Sequence, residues 1–274
     1  MKKLYFFLLL VVLLFGCAST PEEPVPEEQP VAEAPPPPET DAAYHYNRGN
    51  EFYSRYEFDQ AVNEYSEAVR KDPSMAEAYI ARGNANSGKL ELEKALDDYL
   101  AGAKINPDYD HYAQGYSKYL HQDYKGAIDE FSQAIALGTN LLAAYNDRGL
   151  AYTNMNNPNK AITDFNEAIN TNPNSAFAYN NRGNIYLSRA NYDKAIDDYS
   201  KAVNLYPKLV FPYSGRGYAN YRTKAYDKAI DDYSKAIAIT SDNPTLYSLR
   251  GDAYKAKGEK DLADSDYAMA ERLK

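Results

Sequence analysis

Residues 176–209 read AFAYNNRGNIYLSRANYDKAIDDYSKAVNLYPKL, and this stretch decides the fold. Its first half contains Gly183, its second half contains Tyr199, and Pro207 stands near its end. Glycines recur along the chain at Gly49, Gly83, Gly115, Gly149, Gly183, Gly217 and Gly251. The interval is constant, except that Gly115 follows Gly83 two positions early. A fixed period of this length indicates a repeat array, here of seven units.

Small and aromatic residues keep register with these glycines. An alanine stands at the twelfth position after each one: Ala61, Ala95, Ala127, Ala161, Ala195, Ala229 and Ala263. An aromatic residue stands at the sixteenth position: Tyr65, Tyr99, Phe131, Phe165, Tyr199, Tyr233 and Tyr267. Apolar residues at the thirteenth and twentieth positions, such as Ile196 and Val203, share one helical face. A single helix pair cannot bury that face, so each unit is expected to stack on the next.

The pattern resembles the tetratricopeptide repeat (TPR), a helix–turn–helix unit whose period matches the glycine interval. The resemblance covers residues 42–274 and implies an all-α fold, a right-handed α-solenoid of seven units after a disordered N-terminal tether. Expected unit ranges are 42–75, 76–107, 108–141, 142–175, 176–209, 210–243 and 244–274. The tryptophan of the family pattern is replaced by tyrosine in five units and by His45 and His111 in the other two.

Composition narrows the classes of function. A chain of 274 residues suggests about two domains by length alone, but the repeat makes residues 42–274 one stack. With 30 Lys+Arg against 39 Asp+Glu, the net charge is −9 and no nucleic-acid partner is expected. One cysteine and three histidines give no metal set and no nucleophile–base pair, so we expect neither an enzyme nor a cofactor. The odd feature is 28 tyrosines without a tryptophan.

The N-terminus has the features of a targeting signal. Two lysines precede an apolar run over 4–15, too short for a membrane-spanning helix and typical of a signal peptide, residues 1–16. The run ends in Leu14-Phe15-Gly16-Cys17, which resembles the lipobox of bacterial lipoproteins and implies lipid attachment at Cys17. An uncleaved membrane anchor with a chance cysteine is the alternative.

A tether is expected between the anchor and the repeats, over residues 17–41. Residues 18–41 contain eight prolines, seven acids and no base, so we expect a disordered, extended spacer. By resemblance to Gram-negative sorting rules, Ala18 is not an inner-membrane retention signal. The expected location is therefore the bacterial cell envelope, at the outer membrane facing the periplasm if the cell is Gram-negative.

Charged residues within the repeat predict a series of ion pairs along the units, which we call the arginine ladder. Arginine precedes the glycine in six units and an acid stands at the fifteenth position after it in all seven, so we expect arginine–carboxylate pairs across the helices. We expect His45 and His111 to be packing residues. In the last unit, Asp264 and Glu271 replace the apolar stripe and predict a polar cap.

The resemblance also implies that the first helices line a concave groove that binds protein segments. The groove residues expected here are mostly tyrosine and asparagine: Tyr46, Asn50, Tyr53, Asn84, Tyr109, Tyr112, Tyr116, Tyr119, Asn146, Asn180, Asn184, Tyr218 and Tyr221. Unit 3, after the short interval, is expected to bend locally and to hold the strongest contact site. Sixteen further tyrosines fall at repeat-packing positions.

These features predict a membrane-anchored scaffold that binds extended protein segments at the cell envelope. The groove lacks the Lys/Arg cluster with which chaperone-binding members hold a terminal carboxylate, so that specificity is not expected. Its partners would be other envelope proteins or peptides, with the membrane reached through the N-terminal lipid. The alternative is a solute-binding or transporter-associated periplasmic component. A retained small molecule would favour it.

Overall fold

The computed structural model describes residues 41–274, and within them every regular element is helical. The expected signal peptide, the lipid-bearing Cys17 and nearly all of the tether lie outside the described residues. Within the described residues, fourteen α-helices form seven consecutive pairs: α1 Ala42–Ser54, α2 Phe58–Lys71, α3 Ala76–Gly88, α4 Leu92–Ile105, α5 Asp110–Leu120, α6 Tyr124–Leu137, α7 Leu141–Asn154, α8 Pro158–Thr171, α9 Ala176–Ser188, α10 Tyr192–Leu205, α11 Val210–Arg222, α12 Tyr226–Ile239, α13 Pro244–Lys257 and α14 Lys260–Arg272. Each helix packs against the ones before and after it, which confirms the seven-unit α-solenoid.

The repeat position is glycine because an aromatic ring packs directly against its Cα and leaves no space for a Cβ atom. In every unit the ring at the sixteenth position packs against the glycine of the same unit. A Cβ added to Gly183 would lie 2.9 Å from Cε1 of Tyr199, closer than real Cβ contacts allow. The rings of most units are buried, with Tyr199 and Phe165 at 0% exposure. Burial of each large side chain contributes about 1.5–3 kcal/mol, so this close approach repeats a stabilising contact along the stack.

The predicted ladder of arginine–carboxylate pairs is present within the units. In five of them the guanidinium binds an aspartate on the second helix; Arg182 Nε and Nη2 lie 2.8 and 2.7 Å from the oxygens of Asp198. Its remaining nitrogen, Nη1, donates to Asn166 on the second helix of the preceding unit at 2.6 Å. One side chain therefore joins three helices and fixes the register between neighbouring units.

The two histidine units pair with glutamate in place of aspartate. His45 Nδ1 lies 2.8 Å from Glu64 Oε2, and His111 Nδ1 lies 2.8 Å from Glu130 Oε2. In the other five units, a tyrosine occupies the position of His45 and His111, four residues before the glycine. Its ring lies beside the arginine: the ring centroid of Tyr179 is 5.5 Å from the guanidinium carbon of Arg182. His45 and His111 thus each make a side-chain hydrogen bond to the second helix, beyond the packing role expected for them.

Every turn within a unit contains one residue in the left-handed region. These residues lie seven positions after the repeat glycine: Tyr56, Leu90, Gln122, Asn156, Ala190, Lys224 and Gly258. Only the last is glycine, so six units hold a conformation that costs an ordinary residue about 1–2 kcal/mol. The stack of helices on either side holds this turn in place.

Unit 3 accommodates its two missing residues at the start of its first helix. A 3-10 turn at Pro107–Tyr109 leads into α5, which is shorter than the first helix of every other unit. Asn106 accepts a hydrogen bond from the backbone N–H of Asp108 and so caps this turn. The local bend expected here stays a prediction.

Distant units also touch. The hydroxyl of Tyr56, in the turn after α1, bonds to the backbone of the turn before α9: it donates to the carbonyl of Asn174 and accepts from the N–H of Ala176. Its ring stacks on Tyr206 at a centroid distance of 4.7 Å and an interplanar angle of 5°. The first unit therefore contacts the fifth, a contact without counterpart in the repeat period.

The final unit presents its polar replacements to solvent. Asp264 and Glu271 on α14 are exposed, whereas the equivalent Ile230 and Ile237 on α12 are half-buried and buried against α13 and its neighbours. This exposure agrees with the sequence-based expectation of a polar face on the seventh unit.

Candidate partner-binding cavity

Five of the expected groove residues line one cavity. Tyr46, Asn50 and Tyr53 on α1, Asn84 on α3 and Tyr109 in the 3-10 turn surround a space of about 230 Å³. The remaining lining residues are Tyr65, Glu77, Ile80, Ala81 and Asn140. We call this space the first-helix cavity. Because it takes residues from the first three units and from the turn before the fourth, the first helices do face a common concave surface.

Helical spacing places the α1 side chains on this surface. Tyr46, Asn50 and Tyr53 are separated by four and three residues and therefore share one face. The Oδ1 atom of Asn50 accepts a hydrogen bond of 2.8 Å from the hydroxyl of Tyr65, the buried repeat-packing ring. Asn50 thus satisfies a core hydroxyl with its oxygen and leaves its amide N–H groups for the cavity.

Asn84 repeats this arrangement and extends it across the cavity. Its Oδ1 accepts from the Tyr99 hydroxyl at 3.0 Å. Its Nδ2 donates to Asn140 Oδ1 at 3.1 Å, and Asn140 Nδ2 lies 3.2 Å from Asn84 Oδ1. Asn140 stands in the turn between α6 and α7 with a φ of 45°. This amide pair brings the turn after unit 3 against the first helix of unit 2 and closes one edge of the cavity.

Three of the expected groove residues are buried, and this corrects the sequence analysis. Tyr112 is 0% exposed, Tyr116 3% and Asn180 6%. The rings of Tyr112 and Tyr116 pack edge-on against Tyr99, at centroid distances of 4.8 and 4.9 Å. They fill the space between the helices of units 2 and 3, because burial of a large ring stabilises the stack more than exposure to solvent. Tyr112 and Tyr116 therefore do not lie on the groove as expected, whereas Tyr109 lines the cavity. The assignment of the strongest contact to unit 3 stays a prediction.

The other expected groove residues are dispersed. Asn184 and Tyr218 line a second concavity with Arg222. Asn146 accepts from Asn181 at 3.0 Å, so it joins α7 to α9. Tyr119 and Tyr221 are half-buried, with ring neighbours at 5.6 and 5.7 Å. They add aromatic surface, but they do not line the first-helix cavity.

Sequence reasoning missed two residues of electrostatic importance. Glu77 projects into the cavity from the first turn of α3, six residues before Gly83, at a position where the family places groove residues. Asp147 lies on α7, two residues before Gly149, where its sisters include Asn47 and Ala113. The position of Glu77 within the repeat would have identified it, but no periodic signal marks Asp147.

Asp147 is a carboxylate in tyrosine-rich surroundings. It accepts a 2.8 Å hydrogen bond from the Tyr112 hydroxyl. Burial raises its pKa to about 6, against the opposing effects of that hydrogen bond and of one from Asn146. Burial chiefly, and the Asp147 charge and other neighbours secondarily, raise the pKa values of Tyr53 and Tyr119 as well. An acid with such a shift is a candidate functional residue.

Charge is distributed unevenly along the inner surface. In the first four units, the first-helix positions at −6, −3, −2, +1, +4 and +5 from the glycine include two acids, Glu77 and Asp147, and no Lys, Arg or His. The corresponding positions of units 6 and 7 include two bases, Arg222 and Lys255, and one acid, Asp252. The part of the surface that encloses the first-helix cavity therefore attracts cations.

Family models identify the repeats independently. The tetratricopeptide repeat model matches residues 142–175 and 176–209, and a second TPR repeat model matches 49–89 and 223–258. With the seven helix pairs, these matches show that the chain belongs to the tetratricopeptide repeat family. Proteins of this family bind other proteins or peptides and are generally scaffolds without catalytic activity.

Curated relatives share short stretches of sequence. The chain is 36% identical over 52 residues to Stress-induced-phosphoprotein 1 of Caenorhabditis elegans, 19% of this chain and 16% of that protein. It is 33% identical over 90 residues to Small glutamine-rich tetratricopeptide repeat-containing protein 2 of Saccharomyces cerevisiae, 32% of this chain and 26% of that protein. The chain thus spans only about a sixth to a quarter of the length of these relatives.

Solved structures share the fold over longer spans. A crystal structure of MamA protein is 25% identical, with a TM-score of 0.56, and covers 61% of this chain and 91% of its own. The APC/C hetero-tetramer Cut9-Hcn1 is 15% identical, with a TM-score of 0.64, and covers 82% of this chain and 45% of its own. The latter likeness shows the fold alone.

Across 41–274, no helix combines the length and apolarity needed to cross a bilayer. Over the same residues, His, Cys, Asp and Glu side chains form no group of three or more that could hold a metal ion.

Proposed function

We propose that the protein is a lipid-anchored scaffold of the bacterial cell envelope that holds an extended segment of a partner protein along the concave surface of its first units. The observation that supports this most strongly is the first-helix cavity, in which tyrosine and asparagine side chains from three successive units converge. Tyrosines supply rigid amphipathic contact area, and the free amide N–H groups suit the carbonyls of an extended backbone.

The interaction part of this proposal is tested by substituting one cavity tyrosine. Tyr46→Ala removes a ring from the cavity, whereas Tyr44→Ala removes a ring on the same helix that contacts Arg48 instead. Partner recovery from cells that express each full-length variant should fall at least tenfold for Tyr46→Ala and little for Tyr44→Ala, which serves as the matched control. Equal recovery with both variants would rule out the cavity as the contact site.

The membrane part of the proposal is tested at Cys17. We expect the wild-type chain to incorporate an alkyne-labelled palmitate analogue in bacterial cells and to fractionate with the outer membrane. Cys17→Ser should abolish the label and release the chain from membranes, because stable anchoring requires acyl chains. Unchanged labelling of Cys17→Ser would contradict the lipid site.

Binding of a small solute for a transporter is the alternative function. The cavity is large enough to admit a small molecule, since one water molecule takes up about 30 Å³ of liquid volume. Asn50 and Glu77 are exposed, and all the lining tyrosines except Tyr65 are half-buried, so the lining favours a segment that continues along the surface. We propose no catalytic role for either version.

A further inference from the structure

The lining of the first-helix cavity has an unusual composition. Four tyrosine rings, three amides and one carboxylate surround it, together with Ile80 and Ala81, and no Lys, Arg or His is among them. The face of an aromatic ring carries partial negative charge and attracts cations, especially where several rings surround the same space. Rings and carboxylate together therefore form an environment for a positive charge.

Glu77 supplies the formal charge. It is exposed and makes no ion pair with any basic residue of 41–274. By contrast, Glu64 and Glu130, at repeat-packing positions, both bind basic partners of the same unit. The first turn of a helix tolerates an acid because of the helix dipole. That dipole does not account for the placement of Glu77 at the edge of a tyrosine-lined cavity.

Asp147 adds a second negative charge on the same concave surface. Its nearest polar contacts are the neutral Tyr112 hydroxyl at 2.8 Å and the Asn146 amide at 3.2 Å, so no cation of the described chain compensates it. Keeping an ionised carboxylate in this setting is costly. Glu77 and Asp147 are therefore not balanced by any base at the inner-surface positions of the first helices in units 1–4.

We infer that the first-helix cavity binds a lysine or arginine side chain of the partner segment. This inference rests on the proposed function and specifies the chemistry of the segment, which must be basic where it crosses units 1–3. Charge complementarity selects this occupant: the surface offers negative charge and ring faces, and it lacks the basic groups that an acidic segment would need.

The inference is tested with a pair of fluorescent peptides. One is an extended Ser-Lys-Gly repeat, and its twin carries Nε-acetyl-lysine at every lysine, which keeps the length and removes the charge. Fluorescence anisotropy with the full-length chain at low salt should give at least tenfold tighter binding of the lysine peptide. The difference should shrink as salt is added, because exposed charges are screened.

Substitutions place the effect in the cavity. Glu77→Gln should weaken binding of the lysine peptide about three- to tenfold. Glu93→Gln, at an exposed position on α4, makes the same change in net charge and should leave binding unchanged. Tyr109→Leu keeps apolar bulk without a ring and should bind several-fold more weakly. Melting temperatures of these variants verify that each one is folded.

Two statements can be refuted separately: that a cationic side chain occupies the cavity, and that this side chain belongs to a protein segment. Equal affinity for the two peptides, no measurable binding of the lysine peptide, or equal effects of Glu77→Gln and Glu93→Gln would each refute a cationic side chain in the cavity. Competition by free putrescine at the affinity of the peptide would refute a protein segment as the occupant and identify a small amine instead. The proposed function is judged separately, by partner recovery with Tyr46→Ala.

Discussion

At the scale of single residues, the repeat is a set of matched pairs. Tyrosine at the fourth position before the glycine always occurs with aspartate at the fifteenth position after it, and histidine always occurs with glutamate. The structure gives the reason. The shorter aspartate is bound by an arginine that also lies beside the tyrosine ring, whereas the longer glutamate reaches Nδ1 of His45 or His111. Histidine substitutions should therefore be accepted only together with glutamate.

The glycine–ring contact makes the first prediction. Gly183→Ala would place a Cβ 2.9 Å from Cε1 of Tyr199, and the ring has no free space to move into because it is fully buried. We expect the free energy of unfolding to fall by about 1–3 kcal/mol, the usual cost of overpacking a core. Chemical denaturation measures this. An unchanged unfolding midpoint would show that the ring relaxes freely.

Asp147 makes the second prediction. Its pKa is raised from 3.8 to about 6, chiefly by burial, so the folded state holds the proton more tightly than the unfolded state. The charge therefore costs stability above pH 6, and this cost disappears as the pH falls toward 4. Asp147→Asn should raise the unfolding free energy by about 1–3 kcal/mol at pH 7 and by much less at pH 4.5.

The tyrosines around Asp147 do not change their charge over the pH range of this comparison. The tyrosines that sense its charge, among them Tyr53, Tyr99, Tyr116 and Tyr119, have raised pKa values and stay neutral through pH 7. Thermal melts of wild type and variant at several pH values give the difference. A gain in stability that is the same at pH 4.5 and pH 7 would contradict the assigned titration.

At the scale of helices, the arginine ladder ties each unit to its own second helix and to that of its predecessor. The arginine–aspartate pair occurs in five units because both residues recur with the period of the repeat. The sequence alone therefore indicated the arginine and its aspartate partner. The amide or hydroxyl acceptor on the preceding unit, such as Asn166 for Arg182, had to be seen in the structure. Sequence spacing does not show which side chain of a neighbouring helix lies within reach.

Reversing the charge of the arginine in one arginine–aspartate pair gives the third prediction. Arg182→Asp places two carboxylates together in a site where Asp198 is only 7% exposed. Removing one partner of such a pair costs about 3–5 kcal/mol, and a like charge adds to it, so the melting temperature should fall strongly.

A control variant separates the effect of charge on stability from the effect of packing at the Arg182–Asp198 pair. The double variant Arg182→Met with Asp198→Leu removes both charges and keeps the volume, and it should lose much less stability than Arg182→Asp. Equal losses in the two variants would show that packing, and not the ion pair, determines the effect.

At the scale of the whole molecule, the most consequential contacts lie outside the period. The bonds of Tyr56 to the turn before α9 connect unit 1 to unit 5, and the Asn84–Asn140 pair connects α3 to the turn between α6 and α7. They depend on how small rotations between units accumulate, which no single repeat encodes. For this reason the sequence did not show that Tyr112 and Tyr116 are buried between units 2 and 3. Five of the expected groove residues do line the first-helix cavity, and their contact with a partner stays a prediction.

Tyr56 gives the fourth prediction. Tyr56→Ala removes the ring stacked on Tyr206 and the acceptor of the Ala176 N–H, so the contact between units 1 and 5 should open. Hydrogen exchange at residues 174–177 should become at least tenfold faster. Leu90→Ala is the matched control, because Leu90 occupies the same left-handed turn position in unit 2 and is 65% exposed. Equal exchange rates in the two variants would refute the contact.

Photo-crosslinking in intact cells would show whether the concave surface of the first units contacts the partner. A photoreactive benzoyl-phenylalanine replaces either Tyr46, which lines the first-helix cavity, or Tyr44, which lies on another face of α1 beside Arg48. After irradiation of intact cells, the account predicts a discrete crosslinked partner at Tyr46, joined through a basic, extended stretch of its chain, and little product at Tyr44. Equal crosslinking at the two positions, or a product only at Tyr44, would contradict it.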